Sequence, residues 1–159
     1  MTLKTPKSVS SSQTEMSELM LPSHTNFGGF VYGGKVLALI DNAAFACACR
    51  HAEKHCVTAS VDAVNFHESI KVGELVTLKA SCNFAGRTSM EIGLKVFAED
   101  LISGKVRHTN SCYVTMVAIG DDGKPAEVPR LTPETAEEKR RYQDGEKRRQ
   151  ERLVKIKKS

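Results

Sequence analysis

The strongest constraint on the fold lies between residues 26 and 53, where a glycine-rich loop leads directly into a long apolar segment. Four of the nine residues from Asn26 to Gly34 are glycine, so this part cannot form a regular helix or strand. From Lys35 to Glu53, apolar residues fall on every side of a helix, and six alanines favour helix formation. Such a helix would be about 28 Å long. The pattern predicts one long helix that is buried on all sides.

One acidic residue, Asp41, interrupts this apolar helix. The residues one helical turn away from it are all apolar: Leu37, Ala38, Ala44 and Phe45. A carboxylate in such surroundings is costly unless it is hydrogen-bonded or takes part in chemistry. Asp41 is therefore a candidate catalytic residue. The alternative is that Asp41 and Asn42 form a small hydrated stripe on the helix.

The rest of the chain predicts an antiparallel sheet. A short extended segment, Met16–Leu21, precedes the glycine loop. Four stretches with strand-like alternation follow the helix, separated by turn signals: Cys56–Phe66, Leu75–Phe84, Ser89–Glu99 and Lys105–Ile119. A helix that is apolar on all sides needs a sheet that curls around it. The predicted class is α+β, specifically the hotdog fold: a curved antiparallel sheet wrapped around one central helix, with a further C-terminal helix.

Composition divides the chain into three parts. Residues 1–14, rich in Ser, Thr and Lys, predict a disordered lead. Residues 15–131 form the predicted hotdog domain. Residues 132–159 predict a basic C-terminal helix or tail, for which Thr132 is a suitable N-cap and Pro133 a suitable first residue.

The positive charge is concentrated in this tail. Residues 139–158 contain ten Lys/Arg and three Asp/Glu, a balance of +7, whereas the remaining thirteen Lys/Arg and sixteen Asp/Glu give −3. A basic tail can bind nucleic acid or an anionic surface, but mixed charges favour a solvated helix face. We therefore expect no nucleic-acid partner.

The cysteine count and the absence of long apolar runs limit the protein class. Five cysteines, an odd number with no C-x-x-C pair, argue against a disulfide framework and indicate a reducing compartment. There is no signal-like segment and no long uncharged apolar run, so neither secretion nor a membrane partner is expected. We expect a cytoplasmic protein with buried, structural thiols.

Several motifs, taken together and in order, resemble those of hotdog acyl-CoA thioesterases. The pattern covers roughly residues 16–149 and comprises Asn26-x-x-Gly-x-Val-x-Gly-Gly34, Asp41, Arg50-His51, Val57-Thr-Ala-Ser-Val-Asp-Ala-Val-Asn-Phe-His67, and residues 72–74, 87–91 and 128–135. The chain is most similar to the cytosolic (brain) acyl-CoA hydrolase group, in its short bacterial form with a single hotdog unit. The resemblance implies hydrolysis of fatty acyl-CoA to fatty acid and CoA, with no metal and no organic cofactor.

The resemblance also implies how the site is assembled. In this family an Asn of the glycine loop and an Asp of the central helix act across the interface of two hotdog units, which gives Asn26 and Asp41 the catalytic roles. It further implies a homo-oligomer, a dimer of hotdogs that assembles as a trimer of dimers. Gly33 and Gly34 lie where unpaired N–H groups of a helix N-terminus can bind the oxyanion of a thioester. Asp41 is about 10 Å further along the same helix, a distance that favours a site shared by two subunits.

The CoA end of the site is less defined by the sequence. Arg87, Ser89, Lys71 and Arg107 are candidate CoA ligands, since turns between strands would expose the three cations to the ADP phosphates. The alternative is that they are ordinary surface charges.

Three other functions remain to be weighed. Asn65–His67 together with Asp41 suggests the acid–base pair of a hotdog enoyl-CoA hydratase or dehydratase. His55-Cys56 with His51 suggests a Cys–His nucleophile, although adjacent residues rarely face each other in the required geometry. The basic tail suggests a non-enzymatic module that binds RNA or a protein partner, although Tyr142 is its only aromatic residue.

Overall fold

One long helix lies against the inner face of an antiparallel sheet in the computed structural model, which describes residues 4–159. In chain order the elements are β1 (Lys7–Ser8), β2 (Thr14–Leu19), α1 (Gly33–Ala52), β3 (His55–Val61), β4 (Leu75–Ala85), β5 (Ser89–Glu99), β6 (Val106–Ile119), β7 (Leu131–Thr132) and α2 (Ala136–Lys158). The main sheet has the order β2-β4-β5-β6-β3, and β1 pairs in parallel with β7. This arrangement confirms the predicted hotdog fold.

The sheet curls because its strands carry β-bulges. The extra residues are Ala59 in β3, Asn83 in β4 and Thr109 in β6, the last opposite Val96 and Phe97 of β5. A bulge bends its strand and increases the local twist. As a result, α1 contacts all five strands of the main sheet.

The core lies between α1 and the inner face of this sheet. Small side chains on α1, Ala43, Ala44 and Ala48, are completely buried and allow the sheet to approach closely. They face a fully buried aliphatic layer on β4, β5 and β6: Val76, Leu78, Ile92, Val96, Val114 and Met116. Each such aliphatic side chain contributes about 1.5–3 kcal/mol by leaving water.

One face of α1 remains uncovered, which corrects the prediction of a helix buried on all sides. The exposed residues recur every three or four positions and so form one stripe: Gly34, Leu37, Ala38, Asp41, Asn42 and Phe45. Leu37 is 41% and Phe45 40% exposed. The apolar pattern predicts that these side chains are buried, but no other part of the same chain covers them.

The boundaries of two elements differ from the prediction. α1 begins at Gly33 rather than Lys35, because both glycines accept the helical conformation after Tyr32. β3 ends at Val61 rather than Phe66. Beyond it, the Asn110 side chain donates a hydrogen bond to the Asn65 carbonyl, which holds this segment without strand pairing.

The predicted disordered lead over residues 1–14 is wrong from Lys7 onward. β1 pairs with β7, and Val9 is buried. Lys7 Nζ donates to the Arg50 carbonyl (2.8 Å) and Lys4 Nζ to the Ala52 carbonyl (3.3 Å). Both cations therefore satisfy carbonyls at the C-terminal end of α1, where positive charge is favoured. Residues 1–3 of the predicted lead lie outside the described residues.

The C-terminal helix also starts later than expected. Its N-cap is Thr135, whose Oγ1 accepts from Glu138 N (3.1 Å) while Glu138 Oε2 accepts from Thr135 N (3.2 Å). This reciprocal capping box replaces the predicted cap at Thr132, which is instead paired in β7.

A buried ionic network attaches α2 to the outer face of the sheet. Glu91 of β5 is only 1% exposed and accepts from Arg148 at 2.7 Å and from Arg152 at 3.4 Å. The Arg148 guanidinium also lies 3.7 Å from the centre of the Tyr113 ring, and Arg152 contacts Asp62. The basic tail is thus not simply a solvated face, since part of its charge is neutralised inside the protein.

We predict that Arg148→Met destabilises the protein by about 3 kcal/mol, because it leaves the buried Glu91 carboxylate with a single, longer ion pair. The matched control is Arg141→Met on the same helix, whose partner Glu137 is exposed. The control should cost less than about 1 kcal/mol. Urea denaturation at fixed protein concentration measures both, and equal losses would contradict a structural role for the network.

A second prediction concerns pH. His51 is buried, its Nε2 contacts the Pro129 carbonyl at 2.8 Å, and burial lowers the His51 pKa below its ordinary value of 6.5. The unfolded chain therefore takes up a proton that the folded chain excludes, so stability falls as pH drops below 6.5. His51→Gln should flatten this decline in thermal unfolding scans, whereas His67→Gln, at an exposed position, should not. An unchanged slope in His51→Gln would exclude His51 as its source.

Candidate active site

Asn26 organises the glycine loop. Its Oδ1 accepts hydrogen bonds from Gly28 N (2.9 Å) and Phe30 N (3.2 Å), and its own N–H donates to the Phe30 carbonyl (2.7 Å). Gly29 completes the turn with φ +82°, a conformation that favours glycine. The Asn26 Nδ2 group has no hydrogen-bond partner within residues 4–159. This amide is therefore a fixed donor with its N–H groups available to a ligand.

The N-terminus of α1 supplies further donors. The N-cap, Tyr32, makes no side-chain cap within the described chain. Lys35 N donates a hydrogen bond to the Tyr32 carbonyl (3.0 Å). The N–H groups of Gly33 and Gly34, in contrast, have no acceptor inside the helix. A Cβ on Gly33 would lie 3.5 Å from the Phe66 ring. Glycine thus leaves two N–H groups accessible beside an aromatic side chain.

Asp41 lies on the exposed stripe of α1 and faces the edge strand β3. Its Oδ1 accepts a hydrogen bond of 2.5 Å from the hydroxyl of Thr58. The carboxylate is therefore held in one orientation by a neutral donor, and its second oxygen is free to accept a proton. Among residues 4–159, Asp41 has no cationic partner within ion-pair distance.

Thr58 is a site residue that sequence reasoning missed. The alternation of β3 places Thr58, Ser60 and Asp62 on one side of the strand. The bulge after Thr58 then alters this alternation. The pattern alone could not show which of these polar side chains meets α1.

Within one chain the predicted site residues form two separate groups. Asn26, Gly33 and Gly34 belong to the loop and the first turn of α1, which are joined by the hydrogen bond from Tyr32 N to the His24 carbonyl (3.1 Å). Asp41 lies seven residues beyond Gly34, about 10 Å along the helix. No hydrogen bond connects Asp41 with Asn26 in the described chain.

An exposed apolar face, which we call the β3 face, surrounds the Asp41–Thr58 pair. It comprises Leu37 and Phe45 of α1, Val61 of β3, and Phe66. Because β3 is at the edge of the sheet, its outer backbone groups lack a strand partner in the single chain. An apolar, unpaired edge of this kind is suited to pairing with another chain.

The four candidate CoA ligands are not brought together. Arg107 binds Glu74 (2.7 Å) and Glu68 (2.9 Å), and the hydrogen bond to Glu74 raises the Arg107 pKa. Its charge is therefore already used to hold the loop before β4, which corrects its assignment as a phosphate ligand. Ser89, by contrast, is at the opposite end of β5, about 33 Å from the Arg107 end of the sheet.

The remaining candidates occupy two exposed turns. Arg87 forms part of the β4–β5 turn beside Ser89, and its carbonyl accepts from Val128 N. Lys71 forms a backbone bridge with Phe30 and so lies against the glycine loop. Both side chains remain accessible to a ligand.

The thiols and buried histidine do not form a nucleophilic pair. Burial raises the pKa of Cys56 to about 12 and those of Cys47 and Cys112 to about 11. His51 contacts the Pro129 carbonyl instead of a cysteine. The Cys56 thiol hydrogen-bonds to the Lys54 carbonyl, and no hydrogen bond joins a cysteine to a histidine within residues 4–159, which argues against the Cys–His hypothesis. Residues 4–159 also contain no group of three or more His, Cys, Asp or Glu suited to hold a metal ion.

The sequence is similar to those of known proteins over most of its length. A sequence-family model described as the thioesterase superfamily matches residues 28–105. Protein VdlD of Helicobacter pylori is 45% identical over 135 residues, which cover 85% of this chain and 77% of VdlD. The chain belongs to the thioesterase superfamily. This thioesterase is also 40% identical over 145 residues to the cytosolic acyl coenzyme A thioester hydrolase of Rattus norvegicus, covering 90% of the chain but only 38% of the rat protein.

Solved structures extend the similarity of this thioesterase to the whole fold. A hexameric acyl-CoA thioesterase, crystallised in the apo form, has 39% identity and a TM-score of 0.91, covering 96% of this chain and 98% of that one. The acyl-CoA hydrolase of Staphylococcus aureus, solved with butyryl-CoA, CoA and CoA disulfide, has 34% identity and a TM-score of 0.85, covering 96% and 94%. Structures of that hydrolase with an aspartate, an asparagine or a threonine replaced by alanine are also similar.

None of the helices in the described part of the chain is both long enough and apolar enough to cross a membrane.

Proposed function

We propose that this thioesterase hydrolyses fatty acyl-CoA to free fatty acid and CoA at a site shared by two subunits. The observation that carries the proposal is the Asp41–Thr58 pair, an oriented carboxylate on an uncovered helix face. The similar proteins from Rattus norvegicus and Staphylococcus aureus are named acyl-CoA hydrolases, and the latter was solved with CoA ligands. Acyl-CoA is therefore the substrate class that fits this chain best.

The spacing of the site residues supports their roles. In the Staphylococcus aureus hydrolase, the replaced asparagine and aspartate are 15 residues apart, and the aspartate and threonine are 17 apart. Asn26, Asp41 and Thr58 have the same separations in this chain. The three residues thus correspond in order and spacing to positions altered in a CoA-binding relative.

The β3 face provides the route to a shared site. Pairing of two β3 edges about a twofold axis would join the sheets into one and cover the apolar stripe of α1. The two α1 helices would then run in opposite directions, so the N-terminal end of one approaches the middle of the other. This arrangement brings Asn26, Gly33 and Gly34 of one subunit toward Asp41 of its partner. The hexameric relative supports a further assembly into a trimer of such dimers.

The chemistry follows from these positions. Asp41 accepts a proton from a water molecule as the water oxygen attacks the thioester carbonyl carbon. The N–H groups of Gly33 and Gly34, with the Asn26 amide, stabilise the negative charge that develops on the carbonyl oxygen. Collapse of the tetrahedral intermediate breaks the C–S bond and releases the acid. The CoA sulfur leaves as a thiolate and takes the proton back from Asp41. These steps use no metal and no organic cofactor.

The other functions have less support. A hydratase or dehydratase would need a histidine near Asp41, but the side chain that hydrogen-bonds to the Asp41 carboxylate is Thr58. An RNA-binding tail would need aromatic side chains free to stack on bases, whereas Tyr142, the only aromatic residue of the tail, packs against Phe84. The free cysteines and the name of the cytosolic rat relative support a cytoplasmic location.

We predict that Asp41→Asn lowers kcat for butyryl-CoA by about 10²–10⁴, the usual loss when a general base is removed. Thr58→Val should lower it by about tenfold, since the carboxylate remains but loses one orienting hydrogen bond. Asp121→Asn, in an exposed turn, is the control and should match the unaltered protein. Thiol release measures all three. If Asp41→Asn retained more than a tenth of wild-type turnover, the role of Asp41 as the base would be wrong.

A subunit-mixing experiment tests the shared site. Asp41→Asn and Asn26→Ala proteins should each be nearly inactive, and a mixture that exchanges subunits should regain activity. Each mixed dimer then has one site with both native residues. Differently tagged subunits, isolated as mixed dimers, confirm the exchange. No recovery in purified mixed dimers would place Asn26 and Asp41 in the same subunit's site.

A further inference from the structure

The irregular segment that joins β3 to β4, residues 62–70, is fixed to its neighbours at both ends. Asp62 N donates to the Tyr113 carbonyl of β6 (2.9 Å), and Val31 N donates to the Ile70 carbonyl (2.9 Å). The first bond attaches the segment to the sheet, and the second attaches it to the end of the glycine loop. The segment therefore passes beside the N-terminus of α1.

Two side chains of β6 hold the middle of this segment. The Asn110 amide, on a residue that is only 4% exposed, donates to the Asn65 carbonyl. Arg107 donates to the Ser69 carbonyl (3.2 Å). Phe66 lies between these two attachments, so its backbone is held on both sides. The fold thereby sets the position of the Phe66 ring, although the ring itself is 48% exposed.

The Phe66 ring lies over the first residue of α1. A Cβ built on Gly33 would lie between 3.5 and 3.9 Å from three carbon atoms of the ring, which is ordinary van der Waals contact. The gap between the ring and the Gly33 backbone is therefore about one carbon atom wide. The Gly33 N–H group, which has no acceptor inside the helix, is next to this gap.

An apolar surface extends from the ring along the helix. Leu37 is one helical turn beyond Gly33 on the exposed stripe of α1. Phe66 and Leu37 both belong to the β3 face, which the partner subunit would cover in the proposed dimer. A substrate whose carbonyl oxygen binds the Gly33 N–H group would gain most by laying its alkyl chain on this apolar surface.

We propose that Phe66 selects against acyl groups that are branched at the carbon next to the thioester carbonyl. This inference rests on the proposed function and deepens it, since it names a class of acyl group that the site rejects. It also gives a role to the Asn65-Phe66-His67 motif through its aromatic member.

The order of atoms in the substrate explains the selection. When the thioester oxygen accepts a hydrogen bond from Gly33 N, the carbonyl carbon and the first carbon of the alkyl chain lie beside the Phe66 ring. A CH₂ group at that carbon fits the narrow gap and contacts the ring. A methyl branch at the same carbon would overlap the ring, or would move the carbonyl away from its donor.

The test compares butyryl-CoA with isobutyryl-CoA, which are isomers that differ only in this branch. In the unaltered protein, kcat/KM should favour butyryl-CoA by about 10–200-fold, the usual range for one methyl group in an apolar pocket. Phe66→Ala should reduce this preference by about tenfold, and Phe66→Leu by less. The control is Ile102→Ala, in the β5–β6 turn, which removes a side chain that is 98% exposed and should leave the preference unchanged.

A second variant should shift the preference in the opposite direction. Gly33 is in the first turn of α1, so alanine can adopt its backbone conformation. The added methyl group would lie 3.5 Å from the Phe66 ring and narrow the same gap. Gly33→Ala should therefore increase the preference for butyryl-CoA over isobutyryl-CoA.

The outcomes separate this proposal from the proposed function. The preference is a ratio within each variant, so weaker dimerisation of Phe66→Ala lowers both rates and leaves the ratio unaffected. If the unaltered protein hydrolyses neither substrate, the proposed function fails. If it hydrolyses both with equal kcat/KM, or if Phe66→Ala keeps the full preference for butyryl-CoA, the proposed function stands and the role of Phe66 is overturned.

Discussion

The structure depends on how α1 is covered. A helix with apolar side chains on all sides requires a continuous apolar surround, and the curled sheet supplies this on every side but one. The remaining stripe carries Leu37 and Phe45 together with Asp41, so the same surface exposes apolar area and the proposed base. Assembly and chemistry are thereby linked. In the proposed dimer, the contact that removes the apolar stripe from water would also enclose the carboxylate, where electrostatic effects on a reacting group are stronger.

Local patterns accounted for most of the fold. The four strands after α1 were predictable because each alternates with a period of two and ends at a turn signal, and β5 agrees at both ends. Asp41 was identifiable because it breaks an apolar pattern. The errors arose from contacts between residues far apart in sequence. Lys4 and Lys7 order the lead by binding α1, Glu74 occupies Arg107, and Thr58 meets Asp41 across 17 positions. No local pattern contains such pairings.

The attachment of α2 shows how one buried charge can position a polar element. Helix α2 has few apolar residues with which to bind the sheet, although the Phe84 and Tyr142 rings are in contact, with centroids 4.9 Å apart. The Glu91 carboxylate adds a directional contact, because the arginines at positions 148 and 152, one turn apart on α2, both bind it. Breaking such a buried pair is costly, so the register of α2 on the sheet is well defined.

The two edges of the main sheet are chemically different. The β3 edge presents Val57 and Val61, whereas the β2 edge carries the exposed Glu15 beside Met16 and Leu19, and its Glu18 is paired with Lys35 of α1. If two β2 edges met, the Glu15 carboxylates of the two chains would repel each other, which disfavours pairing. In the proposed dimer, a twofold contact between β3 edges uses the same surface on both subunits and is complete after two chains. The β3 edge therefore accepts a second chain, and the β2 edge does not. The sheet stops growing once two chains have paired, instead of continuing into a filament.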